Sequence, residues 1–139
     1  MPEAMVNKIE HLGIAVKNIK ESAKMYEALL GKPSYKTEVV ESEGVSTLFF
    51  QIGESKIELL EATNPESPVA KFIEKRGEGI HHIAYDVTNI EEELERLKKE
   101  GFRLIHEVPK NGADNKRIAF LHPKSTGGVL IELCEERQS

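Results

Sequence analysis

Two histidines and two glutamates stand out as chemistry-bearing residues: His11 with Glu58, then His82 with Glu132. Each pair combines an imidazole nitrogen donor with an anionic oxygen donor. Glu58 lies in IELLE and Glu132 in VLIELCE. A carboxylate inside such an apolar run is costly to bury unless it is paired or binds metal. If the four side chains converge they make an N2O2 set. That set suits an octahedral divalent ion such as Co, Ni, Mn or Zn, with two positions left for water or substrate. Taken singly, a strand histidine is more often a satisfied structural residue, and a strand glutamate more often faces solvent. These four are set apart because the pair occurs twice at matching places.

The chain repeats itself, and the repeat defines the elements that must position the pairs. IEHLGIAVKNI, from Ile9 to Ile19, aligns with IHHIAYDVTNI, from Ile80 to Ile90, at a constant offset of 71 residues. Ile9, His11, Val16, Asn18 and Ile19 are matched by Ile80, His82, Val87, Asn89 and Ile90. Each segment leads into a helical stretch that ends in glycine, at Gly31 and Gly101. Further on, Phe50 aligns with Phe120, and Ile57-Glu58-Leu59 with Ile131-Glu132-Leu133. The offset grows there from 70 to 74, which predicts a second hairpin loop four residues longer. Loops tolerate such insertions.

Alternation and β-branching predict strands over 9–16, 35–40, 45–51 and 55–61, with turns at Gly44 and at Ile52-Gly53-Glu54. Helical spacing from Ile19 to Leu30, with Asn18 as N-cap and Gly31 just past the end, predicts a helix. The module is thus β-α-β-β-β. Its second copy predicts strands over 80–87, 103–107, 117–122 and 129–135 and a helix over 90–99. A short helix over 69–75 behind Pro68 fits the connection. The expected fold class is α+β: two β-α-β-β-β modules forming an incomplete eight-stranded barrel around a metal site. The expected organisation is one domain over residues 6–136, with module one at 6–62, a linker at 63–77 and module two at 78–136. Strand parity puts His11 on a face with Gly13 and Ala15, and His82 on a face with Ala84. His81 aligns with Glu10 and points the other way. His106 and His122 have no partner in the repeat and read as surface or loop residues.

Composition narrows the classes. Apolar residues at 39% and charged residues at 31% are ordinary for a soluble globular protein. A formal charge of −5 argues against general nucleic-acid binding, which needs a basic face. No apolar run approaches the ~20 residues that cross a membrane. The start, MPEAMVNKIE, has no apolar signal core. The lone Cys134 excludes an internal disulfide and fits a reducing cytoplasm, the expected location. Lys71, Lys75, Arg76, Lys110, Lys116, Arg117 and Lys124 could supply a local basic rim for an anionic substrate.

The paired module with His early and Glu late resembles the vicinal oxygen chelate, or glyoxalase/bleomycin-resistance, superfamily, over nearly the whole chain. Two stretches, SPVAKFIEKRGEGIHHIAYDV and RIAFLHPKSTGGVLIELCE, resemble its methylmalonyl-CoA epimerase branch, and HPKSTGGVLIEL is the most specific string. The resemblance implies a divalent metal, cobalt first among candidates, held by His11, Glu58, His82 and Glu132. It also implies an acyl-CoA substrate, an enolate-type reaction and a homodimer. One departure matters. Some members of that branch carry Gln at the position of Glu58 and a Glu, proposed as a base, at the position of Thr47. A threonine cannot act as that base at neutral pH. Glu41 and Glu43 lie nearby but outside the matching position, so Glu58 becomes the candidate first-side base and Glu132 the second.

Epimerisation needs a base on one face of a planar enolate and an acid on the other, and two glutamates related by a repeat suit that need. The rivals share the fold. A glyoxalase I-type lyase acting on a glutathione hemithioacetal uses the same ligand pattern but would not call for the HPKSTGGVLIEL segment. A metal-free binding protein would not need all four ligands. An extradiol dioxygenase keeps its ligands mainly in one module of a longer chain.

Overall fold

The computed structural model describes residues 6–137. Among them the element order is β1 (Val6–Ala15), α1 (Ile19–Leu30), β2 (Lys36–Val40), β3 (Val45–Ile52), β4 (Ser55–Ala62), α2 (Pro68–Arg76), β5 (Gly79–Val87), α3 (Ile90–Lys99), β6 (Lys110–Asn111), β7 (Lys116–Leu121) and β8 (Ile131–Glu136). This is the expected α+β class with the β-α-β-β-β order written twice.

The chain divides into two compact units, one from His11 to His81 and the other combining the chain up to Glu10 with the chain from His82 onward. The first unit therefore takes in α2 and the connecting segment. Its strand order is β2-β3-β4-β1, with β1 parallel to β4 and the β2, β3 and β4 neighbours antiparallel. The second unit has the order β5-β8-β7-β6, with β5 parallel to β8 and the rest antiparallel. The opening residues of β1 are tied into the second unit by Asn7 Nδ2, which donates to Asp86 Oδ2 at 2.9 Å and to Thr88 Oγ1 at 3.2 Å.

Helices α1 and α3 start with the same device. The side chains of Asn18 and Asn89 accept from the backbone N–H of Glu21 and Glu92, each at 3.1 Å. A glutamate from the last strand of the module then reaches the first helical residue. Glu61 Oε1 accepts from the Ile19 N–H at 2.9 Å, and Glu135 Oε2 from the Ile90 N–H at 3.3 Å. Negative charge at a helix N-terminus is favourable and satisfies an otherwise orphaned donor. Gly31, at φ 72°, closes α1 in the left-handed region where a Cβ is penalised.

Period-2 alternation then sorts the last strand of each module. In the first unit Leu59 packs with Val16 and Phe50 against Ile19, Ala23 and Tyr26 of α1. In the second unit Leu133 packs with Val87, Ile90, Leu94 and Leu97 against α3. The flanking Glu58 and Glu132 therefore point to the opposite face. Phe50 is wholly buried in the α1 cluster. Phe50→Ala is expected to destabilise the fold by about 3–5 kcal/mol, read as a lower urea midpoint at unchanged slope.

The strand expected over 103–107 does not form. Leu104 makes only an isolated bridge with Leu121, and the edge strand is the short β6 instead. The N–H groups of Ile105 and His106 both go to the Phe120 carbonyl, at 2.8 and 3.3 Å. The Phe120 N–H, which a regular ladder would give to a backbone carbonyl, goes to His106 Nδ1 at 3.1 Å. A side chain has taken the ladder's place, a local competition open to polar residues.

Candidate metal centre

In the first unit the parallel register sets Gly13 opposite Glu58 and His11 opposite Lys56. His11, Gly13 and Glu58 thus share a face. Gly13 offers no Cβ beside the Glu58 column, so the imidazole two residues earlier can reach the carboxylate. His11 Nδ1 lies 3.1 Å from Glu58 Oε2, and both residues are only 4% exposed.

The second unit repeats the construction. Ala84 sits opposite Glu132, and His82 Nε2 lies 3.0 Å from Glu132 Oε1. Both residues are 5% exposed. A small residue again faces the glutamate, and the histidine again precedes it by two. The nitrogens differ: His11 presents Nδ1 to its partner, and His82 presents Nε2.

These separations fit a divalent ion. Two donors each ~2.1 Å from one ion and at right angles lie ~3.0 Å apart. The two atoms of the His82–Glu132 contact lie close, but Glu132 Oε1 makes no hydrogen bond there. The chemistry of the donor set, two buried histidine–carboxylate pairs, is therefore compatible with the expected ligands.

On the other side of each glutamate stands a phenylalanine. Glu58 is opposite Phe49, and Glu132 is opposite Phe120. The ring of Phe120 meets His82 edge-on at 5.6 Å. The structural counterpart of Phe120 is thus Phe49, not Phe50 as the sequence alignment has it. The offset of 71 holds through this strand, and the second hairpin gains three residues rather than four. One residue of slip exchanges the two faces of a strand. With two adjacent phenylalanines, both wholly buried, the slip cannot be seen in the sequence.

Thr47 is buried on the Glu58 face, opposite Leu60 on one side and Glu38 on the other. Glu41 and Glu43 lie in a 3-10 turn ahead of β3. The ladder ends at Val45–Ala62, four residues past Glu58 and so about 13 Å along the strand. The carboxylate that shares the Glu58 face is Glu38, which sequence reasoning passed over.

Several of the basic residues expected at a rim are otherwise engaged. Lys116 Nζ lies 3.8 Å from the buried Glu10. Arg117 binds both Glu91 and Glu135. The Arg117 hydrogen bond holds the Glu91 carboxyl below its ordinary range. Arg117→Gln is expected to return the Glu91 titration to that range, as followed by side-chain NMR. Because the folded value is depressed, the small stabilisation from this pair is present above the unfolded carboxylate pKa and is lost as pH falls through the folded one. The guanidinium of Arg76 lies 5.8 Å from the Phe72 ring centroid. Of the remaining histidines, His81 packs edge-on against Phe72, and His122 Nδ1 accepts from the Lys124 N–H.

The model of the glyoxalase/bleomycin resistance protein/dioxygenase superfamily matches residues 10–120, so the chain is of this class. Relatives narrow it further. An ethylmalonyl-CoA/methylmalonyl-CoA epimerase of Cereibacter sphaeroides is 38% identical, over 93% of this chain and 98% of its own. The structure of methylmalonyl-CoA epimerase from Mycobacterium tuberculosis superposes with a TM-score of 0.93 at 33% identity, over 99% of this chain and 93% of that one. A Streptomyces coelicolor methylmalonyl-CoA epimerase variant in complex with 2-nitronate-propionyl-CoA gives 0.91 at 35% identity, over 94% and 95%. The chain belongs to the methylmalonyl-CoA epimerase family of that superfamily.

Proposed function

We propose that this chain interconverts (R)- and (S)-methylmalonyl-CoA through an enolate and depends on a divalent metal to do so. The observation that carries this reading is the duplicated pair: His11–Glu58 in one unit and His82–Glu132 in the other, built with the same register and the same burial. The names of the relatives supply the substrate class, an acyl-CoA.

In this reading His11, Glu58, His82 and Glu132 hold one ion, cobalt first, with nickel, manganese or zinc as alternatives. When bound, the ion supplies Lewis-acid stabilisation of developing negative charge on oxygen. The chain's own residues move the proton. The reacting carbon lies between a thioester and a carboxylate, so its proton is acidic. One of Glu58 and Glu132 removes it, and the conjugate acid of the other returns a proton to the opposite face. Phe49 beside Glu58 and Phe120 beside Glu132 each line a glutamate column with apolar surface, which limits water beside the carboxylates. Location in the cytoplasm and assembly as a homodimer belong to the same proposal. Among the described residues no helix is long and apolar enough to cross a membrane.

The deciding experiment incubates the purified, cobalt-loaded protein with each methylmalonyl-CoA isomer in heavy water. Interconversion with deuterium gained at the α-carbon is expected. Turnover of the glutathione hemithioacetal in place of the CoA ester would overturn the assignment in favour of a lyase.

A further inference from the structure

The strand register extends the Glu58 face outward to a charged pair that plays no part in the proposed proton transfer. Lys36 on β2 stands opposite Phe49 on β3, which in turn stands opposite Glu58 on β4. Directly opposed residues in a sheet project to the same side. Lys36, Phe49 and Glu58 thus form one row across three strands, with the outer two columns about 10 Å apart. Glu38 lies on the same face, two residues further along β2.

The ammonium group is held over this face. Lys36 Nζ is 5.2 Å from the centroid of the Phe49 ring, within cation–π range. Glu38 Oε1 sits 3.4 Å from the same nitrogen. The Lys36 side chain is still 38% exposed, so an incoming group can reach it. Phe49 is wholly buried, so the ammonium rests on an apolar floor that also reaches the Glu58 column.

We infer that Lys36 is a specificity residue that binds the free carboxylate of the malonyl group. The inference rests on the epimerase reading above. The substrate is anionic at two places, the acyl carboxylate and the distant phosphates of CoA. Lys36 leans over Phe49, the residue that separates it from Glu58, so its charge lies beside the acyl end of the substrate. The phosphates lie at the far end of a long pantetheine arm. An ammonium there offsets the repulsion between a carboxylate substrate and the acidic side chains of its own site. Glu38 is the positioning residue that keeps the flexible lysine over the ring.

The test compares two thioesters that differ only in that carboxylate. Lys36→Met keeps the stem and its contact with the ring but removes the charge. A hydrogen bond to a charged group is worth ~1.5–3 kcal/mol, or about 10–100-fold. KM for methylmalonyl-CoA is therefore expected to rise ~10–100-fold with kcat within about threefold. The dissociation constant of propionyl-CoA, which lacks the carboxylate, should not move. Lys36→Arg should restore most of the affinity. Equal weakening of both thioesters would assign Lys36 to the CoA portion and overturn the inference. So would an unchanged KM. If the wild-type protein bound neither thioester, the inference would fall together with the function it rests on.

Discussion

Removing the divalent ion from the purified protein with a chelator should abolish interconversion of the isomers while leaving the fold intact. The second half of that expectation comes from the geometry. Each unit has its own apolar core, Leu59 with Val16 and Phe50 in one and Leu133 with Val87, Ile90 and Leu94 in the other, formed without any ion. The chain thereby differs from small metal-folded domains, which have no comparable core. A bound ion should still raise the melting temperature. At a free concentration ~1000 times its Kd, a ligand specific for the folded state adds about 4 kcal/mol. For a chain of this size that is on the order of 10 °C. His11→Ala and His82→Ala should each weaken metal binding at least ~100-fold, since outer-sphere changes alone cost 10–100-fold. Metal content after dialysis and the melting shift both read this without an activity assay. If His82→Ala kept stoichiometric metal while His11→Ala lost it, the two pairs would not serve one ion. Full loss in both is the expected result.

Much of this site was readable in the sequence, because repetition and parity are strong signals. The boundaries of α1 follow from Asn18, the apolar spacing from Ile19 to Leu30, and Gly31. The face of each glutamate follows from the alternation around Leu59 and Leu133, which pack toward the helices. What escaped were features that depend on which backbone groups pair. Residues 103–107 have the composition of a strand, but His106 Nδ1 captures the Phe120 N–H and breaks the ladder. Phe49 and Phe50 are chemically identical, so only the ladder shows which of them backs Glu58. Lys36 and Glu38 have no counterpart in the repeat, since nothing in the second module matches their charges. Their face becomes visible only once β2 is registered on β3. That register also separates the local sequence neighbours: Glu38 shares the Glu58 face, whereas Glu41 and Glu43 belong to a turn.

Glu132→Gln is expected to retain metal yet lose catalysis by about 10²-fold or more, the usual scale for a missing general base. Its neighbours explain why this position is poised for two tasks. Glu132 shares a strand face with Cys134, which is wholly buried with Ala84 and Ile118. Such surroundings disfavour a lone carboxylate, and Glu132 Oε1, 3.0 Å from His82 Nε2, makes no hydrogen bond there. Gln has the same shape and keeps an oxygen donor, so metal content should fall far less than turnover. It has no basic oxygen, so proton abstraction on its side should stop. Glu58→Gln makes the same change in the other unit, and the two variants can be told apart by isotope exchange. If the glutamates serve opposite faces of the enolate, each variant should fail to epimerise. One of them should still wash deuterium into the α-position of a single isomer, because the surviving base can remove and return a proton on its own face. The partner variant should show the mirror-image selectivity. Near wild-type epimerisation by metal-replete Glu132→Gln would place the second-side base elsewhere. The same outcome for Glu58→Gln would make Glu38, the other carboxylate on that face, the residue to test before Glu43.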